Sequence, residues 1–168
     1  MIHVCSLVRL HATVEETGAR HVVSLMKDME LVRRPLTIAD ENHLRLAMDD
    51  ISAPLDGYTA PAEEHLAELL AFVRGWDRAA PMVIHCYAGV SRSTAGAFVS
   101  ACALNPKRAE AAIAGDIRRR SPTATPNIRI VAIADRMLGR KGRMVAAIEA
   151  IGPGIACSEG HPFRLDLA

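Results

Sequence analysis

Cys86 and Arg92 are the residues from which a chemistry can be built. Five residues separate them in the stretch Ile84-His85-Cys86-Tyr87-Ala88-Gly89-Val90-Ser91-Arg92-Ser93-Thr94. A thiolate is a strong nucleophile, and positive surroundings favour it over the thiol. The planar fork of an arginine can hold two phosphate oxygens at once, which a lysine does less well. Between them, Tyr87, Ala88, Gly89, Val90 and Ser91 supply backbone N–H groups that can close around an anion. Gly89 can take the positive φ that such a curl needs. Ser93 follows directly and can donate a hydrogen bond to the thiolate. This order suits a thiolate attacking phosphorus while Arg92 and a ring of N–H groups hold the phosphate oxygens. The plainer alternative is a buried cysteine beside a surface arginine.

The flanking segments must position this loop. Met82-Val83-Ile84 is a short apolar run that reads as a buried strand, and Thr94 to Leu104 is small, apolar and free of proline, so it reads as a helix. A loop that leaves a strand and opens a helix places a positive helix end at the anion. Earlier, Ile2 to Leu7, Val22 to Met26 and Leu44 to Met48 read as strands. Thr13 with Glu16 forms a capping-box pattern, and Gly18 ends a short helix. Pro61 starts a helix carrying Leu66, Leu69, Leu70 and Val73 on one face, which Gly75 ends. Asn105-Pro106 is expected to cap a helix running to about Arg119. Asn127 to Leu138 and Met144 to Ile151 follow as helices, and the residues after Gly152-Pro153-Gly154 read as an extended tail. The expectation is one α/β domain over residues 1–168, with a central, mostly parallel sheet flanked by helices. Residues 139–168 have no assigned role. Ligands of such sheets bind beyond the carboxyl ends of the strands, where Cys86 stands.

Breaking a phosphate ester also needs a proton for the leaving oxygen. Asp40 and Asp77 precede strands and belong at the far edge of the sheet. Asp49 and Asp50 close a strand on the same edge as Cys86, and Asp56 lies in the loop beyond. These three are the candidate acids.

His85-Cys86, five residues, then Arg92-Ser93 resembles the signature of cysteine-based protein tyrosine phosphatases. The Tyr-Ala-Gly-Val-Ser filling and trailing Ser-Arg-Ser resemble the dual-specificity branch, of bacterial type. His43 to Ile51 resembles the general-acid segment of that family, and Arg120 with Pro126-Asn127 its element before the last helices. Ile130 and Val131 stand where the family has an aromatic. The resemblance covers about residues 1 to 138 and implies the tyrosine/dual-specificity phosphatase fold. It further implies a phosphocysteine on Cys86, an acid at Asp50, thiolate release assisted by Ser93, and no cofactor or metal. His85 is expected to order the loop through hydrogen bonds. Tyr87, Ala88 and Val90 carry no extra positive charge, unlike the corresponding loops of phosphoinositide phosphatases. The expected substrate is therefore a phosphorylated protein or a small phosphomonoester. The rivals are a non-catalytic phospho-ligand binding module, and sulfur or arsenate chemistry on the same loop.

Composition narrows the rest. The formal net charge is +1, which gives no general attraction to nucleic acid or membrane. Between Lys107 and Arg143 lie ten Lys/Arg against three Asp/Glu, without interleaved aromatics for base stacking, so solvated helix faces are expected. No run approaches the roughly 20 apolar residues of a membrane span. Arg9, His11, Glu15 and Glu16 interrupt any leader-like segment, which gives a cytoplasmic expectation. Cys5, Cys86, Cys102 and Cys157 form no Cys-x-x-Cys pair and suit a reducing compartment. Cys5 and Cys102 are expected as core thiols. The histidines show no metal-ligand spacing.

Overall fold

The computed structural model describes residues 1–167. Five strands form one sheet in the order β3-β2-β4-β1-β5. β1 (Ile2–Ser6), β2 (His21–Met26), β3 (His43–Ala47) and β4 (Met82–Cys86) are parallel, and β5 (Phe163–Leu165) runs antiparallel to β1 at the edge. The central strand β4 pairs with its neighbour β1, with Ser6 opposite Cys86 and Cys5 opposite His85.

Strand alternation divides the side chains between two layers. Val4, Val23, Leu25, Ile84 and Cys86 face a large core. That core is built with α2 (Glu63–Gly75), α3 (Arg92–Leu104), α4 (Glu110–Arg120), α5 (Ile128–Met137) and α6 (Arg143–Ile151). Cys5, Val22, Met26 and Val83 face a smaller core under α1 (Leu10–Thr17). Helix α3 is the central one: every residue from Arg92 to Cys102 is buried, which its run of small side chains permits. Ile130 and Val131 are fully buried, so β-branched side chains fill the space below the Pro126-Asn127 turn.

Three local expectations change. Thr13 is not a helix cap: α1 already begins at Leu10, and Thr13 is buried within it with its N–H on the Arg9 carbonyl at 2.9 Å. Asn105 ends α3 rather than starting α4, its Nδ2 reaching back to the Ala101 carbonyl at 3.0 Å. Pro106 therefore opens a turn, and α4 starts at Glu110. The tail is no loose extension, because it returns as β5.

Candidate active site

Cys86 ends β4, and the chain turns at once into the loop that opens α3. Its side chain is buried, and its Sγ lies 3.1 Å from the Ser93 Oγ. Gly89 has φ +73°, and a Cβ there would stand 2.8 Å from both the Cys5 carbonyl carbon and the Ser6 nitrogen. Only glycine gives the curl and this close approach to the end of β1 together.

The loop carbonyls are held from outside. The Leu7 N–H donates to Tyr87 O at 3.1 Å, Gly160 N–H to Ala88 O at 2.8 Å, Thr125 N–H to Val90 O at 3.0 Å and Asn127 N–H to Ser91 O at 3.3 Å. A trans peptide unit points its C=O and N–H in opposite directions. Four carbonyls anchored outward therefore turn the N–H groups of Ala88, Gly89, Ser91 and Arg92 the other way, into the ring of the loop. Such a ring of donors at the start of a helix can bind an oxyanion.

Arg92 is the first residue of α3 and is 8% exposed. Its Nη1 donates to Met48 O at 2.8 Å, while its buried Nε has no hydrogen-bond acceptor among the described residues. The Asp50 Oδ2 approaches that Nε at 3.9 Å. Asp50 Oδ1 accepts from Ser91 Oγ at 2.7 Å and from Asn127 Nδ2 at 2.8 Å. Ser91, at the helix cap position, thus gives its hydroxyl to Asp50 rather than to α3. Asp49 is used otherwise. Its Oδ2 accepts the Thr59 N–H at 2.7 Å, its own N–H donates to Thr59 O at 2.7 Å, and Lys27 lies 3.4 Å from Oδ1. It closes the base of the loop that carries Asp50. Asp56 is exposed further along that loop.

His85 points to the opposite face of the sheet from Cys86, into a buried polar chain. Ser24 Oγ lies 2.6 Å from His85 Nε2 and 2.8 Å from His43 Nε2, and His85 Nδ1 lies 3.4 Å from Cys86 O. Burial pushes both imidazoles down to about 4, so they are neutral near pH 7. One tautomer set fits. His85 Nδ1–H faces the Cys86 carbonyl, Ser24 O–H donates to His85 Nε2, and His43 Nε2–H donates to Ser24. His43 Nδ1, which has no partner, is then the unprotonated nitrogen.

Sequence reasoning named Cys86, Arg92, Ser93, Asp50, His85 and the loop from Tyr87 to Ser91, and the fold gathers them at one sheet edge. It missed Ser24 and His43 behind His85, and gave Asn127 no link to Asp50. Burial pushes the thiols of Cys5 and Cys102 up to about 12. Cys5 faces the smaller core and Cys86 the larger one, so the sheet separates them. The basic run is engaged within the fold. Arg108 and Arg119 pair with Asp116, Arg120 with Asp166, Arg136 with Glu63, and Arg140 and Arg143 with Glu110. Arg118 and Arg129 hold backbone carbonyls. Among the described residues, no helix is long and apolar enough to cross a membrane.

A cysteine–arginine loop joining the central strand of this sheet to α3 defines a cysteine-based phosphatase of the tyrosine and dual-specificity class. A family model described as "Polymorphic toxin system, DSP-PTPase phosphatase" matches residues 7–105, and the chain belongs to that family. No curated protein matches it in sequence. Among solved structures it is similar to the PTP-2 phosphatase of Cydia pomonella, with TM-score 0.63, 20% identity, and coverage of 80% of this chain and 84% of the other. It is also similar to human DUSP28, with TM-score 0.63, 16% identity, and coverage of 89% and 94%. A third likeness is the human tyrosine phosphatase-like serine/threonine/tyrosine-interacting protein, with TM-score 0.65, 14% identity, and coverage of 83% and 92%. At these identities the likeness is one of fold. The protein is a phosphatase of the protein tyrosine phosphatase kind.

Proposed function

We propose that this phosphatase hydrolyses phosphomonoesters through a phosphocysteine on Cys86. The observation that carries the reading is the buried Arg92 Nε, without a hydrogen-bond acceptor among the described residues, at the mouth of a loop whose carbonyls all but face away. A buried charged N–H with no hydrogen-bond acceptor, and only Asp50 Oδ2 at 3.9 Å, is costly unless a closer anion meets it. In the proposed cycle the Cys86 thiolate attacks phosphorus and forms the S–P bond as the P–O bond to the leaving group breaks. The Asp50 carboxylic acid gives its proton to the leaving oxygen. The loop N–H groups and Arg92 hold the phosphoryl oxygens, more strongly as charge spreads over them in the transition state. Water then attacks the phosphocysteine, Asp50 takes its proton, and the S–P bond breaks to release inorganic phosphate. Ser93 donates to the departing thiolate. Asn127 and Ser91, which both donate to Oδ1, hold the Asp50 side chain in place.

The reading of the substrate is a phosphorylated protein or small phosphomonoester. Its support is a loop with no basic side chain except Arg92 and an exposed Tyr87 at its rim. Four free cysteines, and a thiolate that must stay reduced, support a reducing compartment such as the cytoplasm. The test is hydrolysis of para-nitrophenyl phosphate with a metal chelator present. Wild type turns over, and Cys86→Ser binds phosphate without turnover. A Cys86→Ser variant as active as wild type refutes the covalent route.

A further inference from the structure

The segment after α6 lies outside the residues matched by the family model, yet it touches the phosphate loop. It leaves α6 along the Pro122–Thr125 turn, with Ile155 N–H on Pro122 O at 2.9 Å and Gly154 N–H on Thr125 Oγ1 at 3.0 Å. It then passes beneath the loop and enters β5, where Phe163 pairs with Val4. Two contacts lie at the crossing. Ser6, beside Cys86 in the sheet, donates its hydroxyl to Glu159 Oε1 at 2.6 Å, and Gly160 N–H donates to Ala88 O at 2.8 Å. A Cβ on Gly160 would stand 3.0 Å from Gly89 O, 3.3 Å from Val90 Cγ2 and 3.4 Å from Thr123 Oγ1. The buried Gly160 is thus pressed flat against the outer face of the loop.

We infer that Gly160 is a positioning residue of the phosphate site, and that Glu159-Gly160 forms a strap that aims the Gly89 N–H at the bound oxyanion. The inference rests on the phosphatase reading of the Cys86 loop. Ala88 C=O and Gly89 N–H belong to one rigid trans unit, so a donor holding the carbonyl outward fixes the N–H inward. Gly89, at positive φ, has little steric resistance to rotation of that unit, so the aim must come from outside. The other anchored units are held by Leu7, Thr125 and Asn127, and the strap supplies the donor for this one. Glu159 locks the strap to the end of β1 through a charge-assisted hydrogen bond.

The test is Gly160→Ala, whose methyl must displace Gly89 O by a few tenths of an ångström. Removing an oxyanion donor outright lowers turnover by about 10² to 10³, so tilting one predicts about a tenfold loss. The expected result is about a tenfold weaker inhibition by orthovanadate, with a smaller change for inorganic phosphate and a fall in kcat rather than a rise in KM. The amide resonance of Gly89 should also lose its response to added phosphate while that of Arg92 keeps it. A folded Gly160→Ala with vanadate inhibition, kcat and the Gly89 response all unchanged overturns the inference. Should Gly160→Ala not fold, the exposed Glu159 decides. Glu159→Ala should weaken vanadate inhibition about threefold and Glu159→Gln should restore it, because an amide oxygen still accepts from Ser6. Wild-type behaviour of Glu159→Ala then overturns the inference. A wild-type enzyme inert on para-nitrophenyl phosphate would sink the phosphatase reading instead, and the Gly89 response to phosphate would still report on the strap.

Discussion

Ser24→Ala removes one hydroxyl from a fully buried site, and the cost follows from what that hydroxyl serves. Ser24 Oγ is the partner of both His85 Nε2 and His43 Nε2. All three side chains are buried, and a one-oxygen hole is too small to admit a bridging water. The variant therefore strands a lone pair on His85 and an N–H on His43. Each buried unsatisfied group costs about 1–3 kcal/mol, so the expected destabilisation for the two is about 2–6 kcal/mol, against a typical effect near 1 kcal/mol for a point substitution. Urea unfolding gives the first readout. The second is the nitrogen resonances of the histidine rings. In wild type they should report His85 protonated on Nδ1 and His43 on Nε2, and in Ser24→Ala that definition should be lost for His85. Because His85 Nδ1 faces the Cys86 carbonyl, kcat should fall several-fold while phosphate binding changes little. A stability loss below about 0.5 kcal/mol, with both ring tautomers intact, would refute the reasoning that Ser24 orders the pair.

Asp50→Asn should lower kcat/KM by about 10² to 10⁴ for alkyl or tyrosyl phosphates and much less for activated phenyl phosphates, because only the poor leaving group needs the proton in the step that forms the phosphocysteine. Asp49→Asn should show no such dependence, since Asp49 already binds the Thr59 N–H and Lys27; the leaving-group signature in Asp49→Asn instead would move the acid. For pH, burial lowers His43 and His85 from 6.5 to about 4, so the unfolded chain binds more protons between those values. Stability should be level above about pH 6.5 and fall as pH drops towards 4, by roughly 3 kcal/mol for one imidazole titrated over that window. Unfolding midpoints measured from pH 7.5 to 4 check this, and a flat profile in that window contradicts it.

The site was legible in the sequence where its chemistry is local. Cys86, Gly89, Arg92 and Ser93 lie on one loop, and their spacing alone requires a curl, a helix start and an anion. Strand order put Asp49, Asp50 and Asp56 on the carboxyl edge with Cys86, and only the family resemblance chose Asp50 among them. What stayed hidden depends on contacts that no local pattern encodes. Asn127 reaches Asp50 across 77 positions, and Ser6 meets Glu159 across 153. Ser24 reads as an ordinary strand residue and His43 as the residue before a strand, until the β2–β3 and β2–β4 pairings bring them together behind His85. Thr13 misled because a capping box is a pattern of residue types, and an earlier start at Leu10 turns the same residues into helix interior. Phe163, Arg164 and Leu165 do alternate buried, exposed, buried, but three residues are too short a run to announce a strand.

The most direct test of the account is where phosphorus resides during turnover. Wild type and Asp50→Asn are mixed with excess para-nitrophenyl phosphate, stopped in denaturant within milliseconds, and their peptides weighed. The account predicts one phosphoryl group on the peptide that carries Cys86, bound through sulfur. It predicts more of it in Asp50→Asn, where water attack is slowed, and none in Cys86→Ser. Phosphoryl transfer to another residue, or steady turnover by Cys86→Ser with no phosphoenzyme, would contradict it.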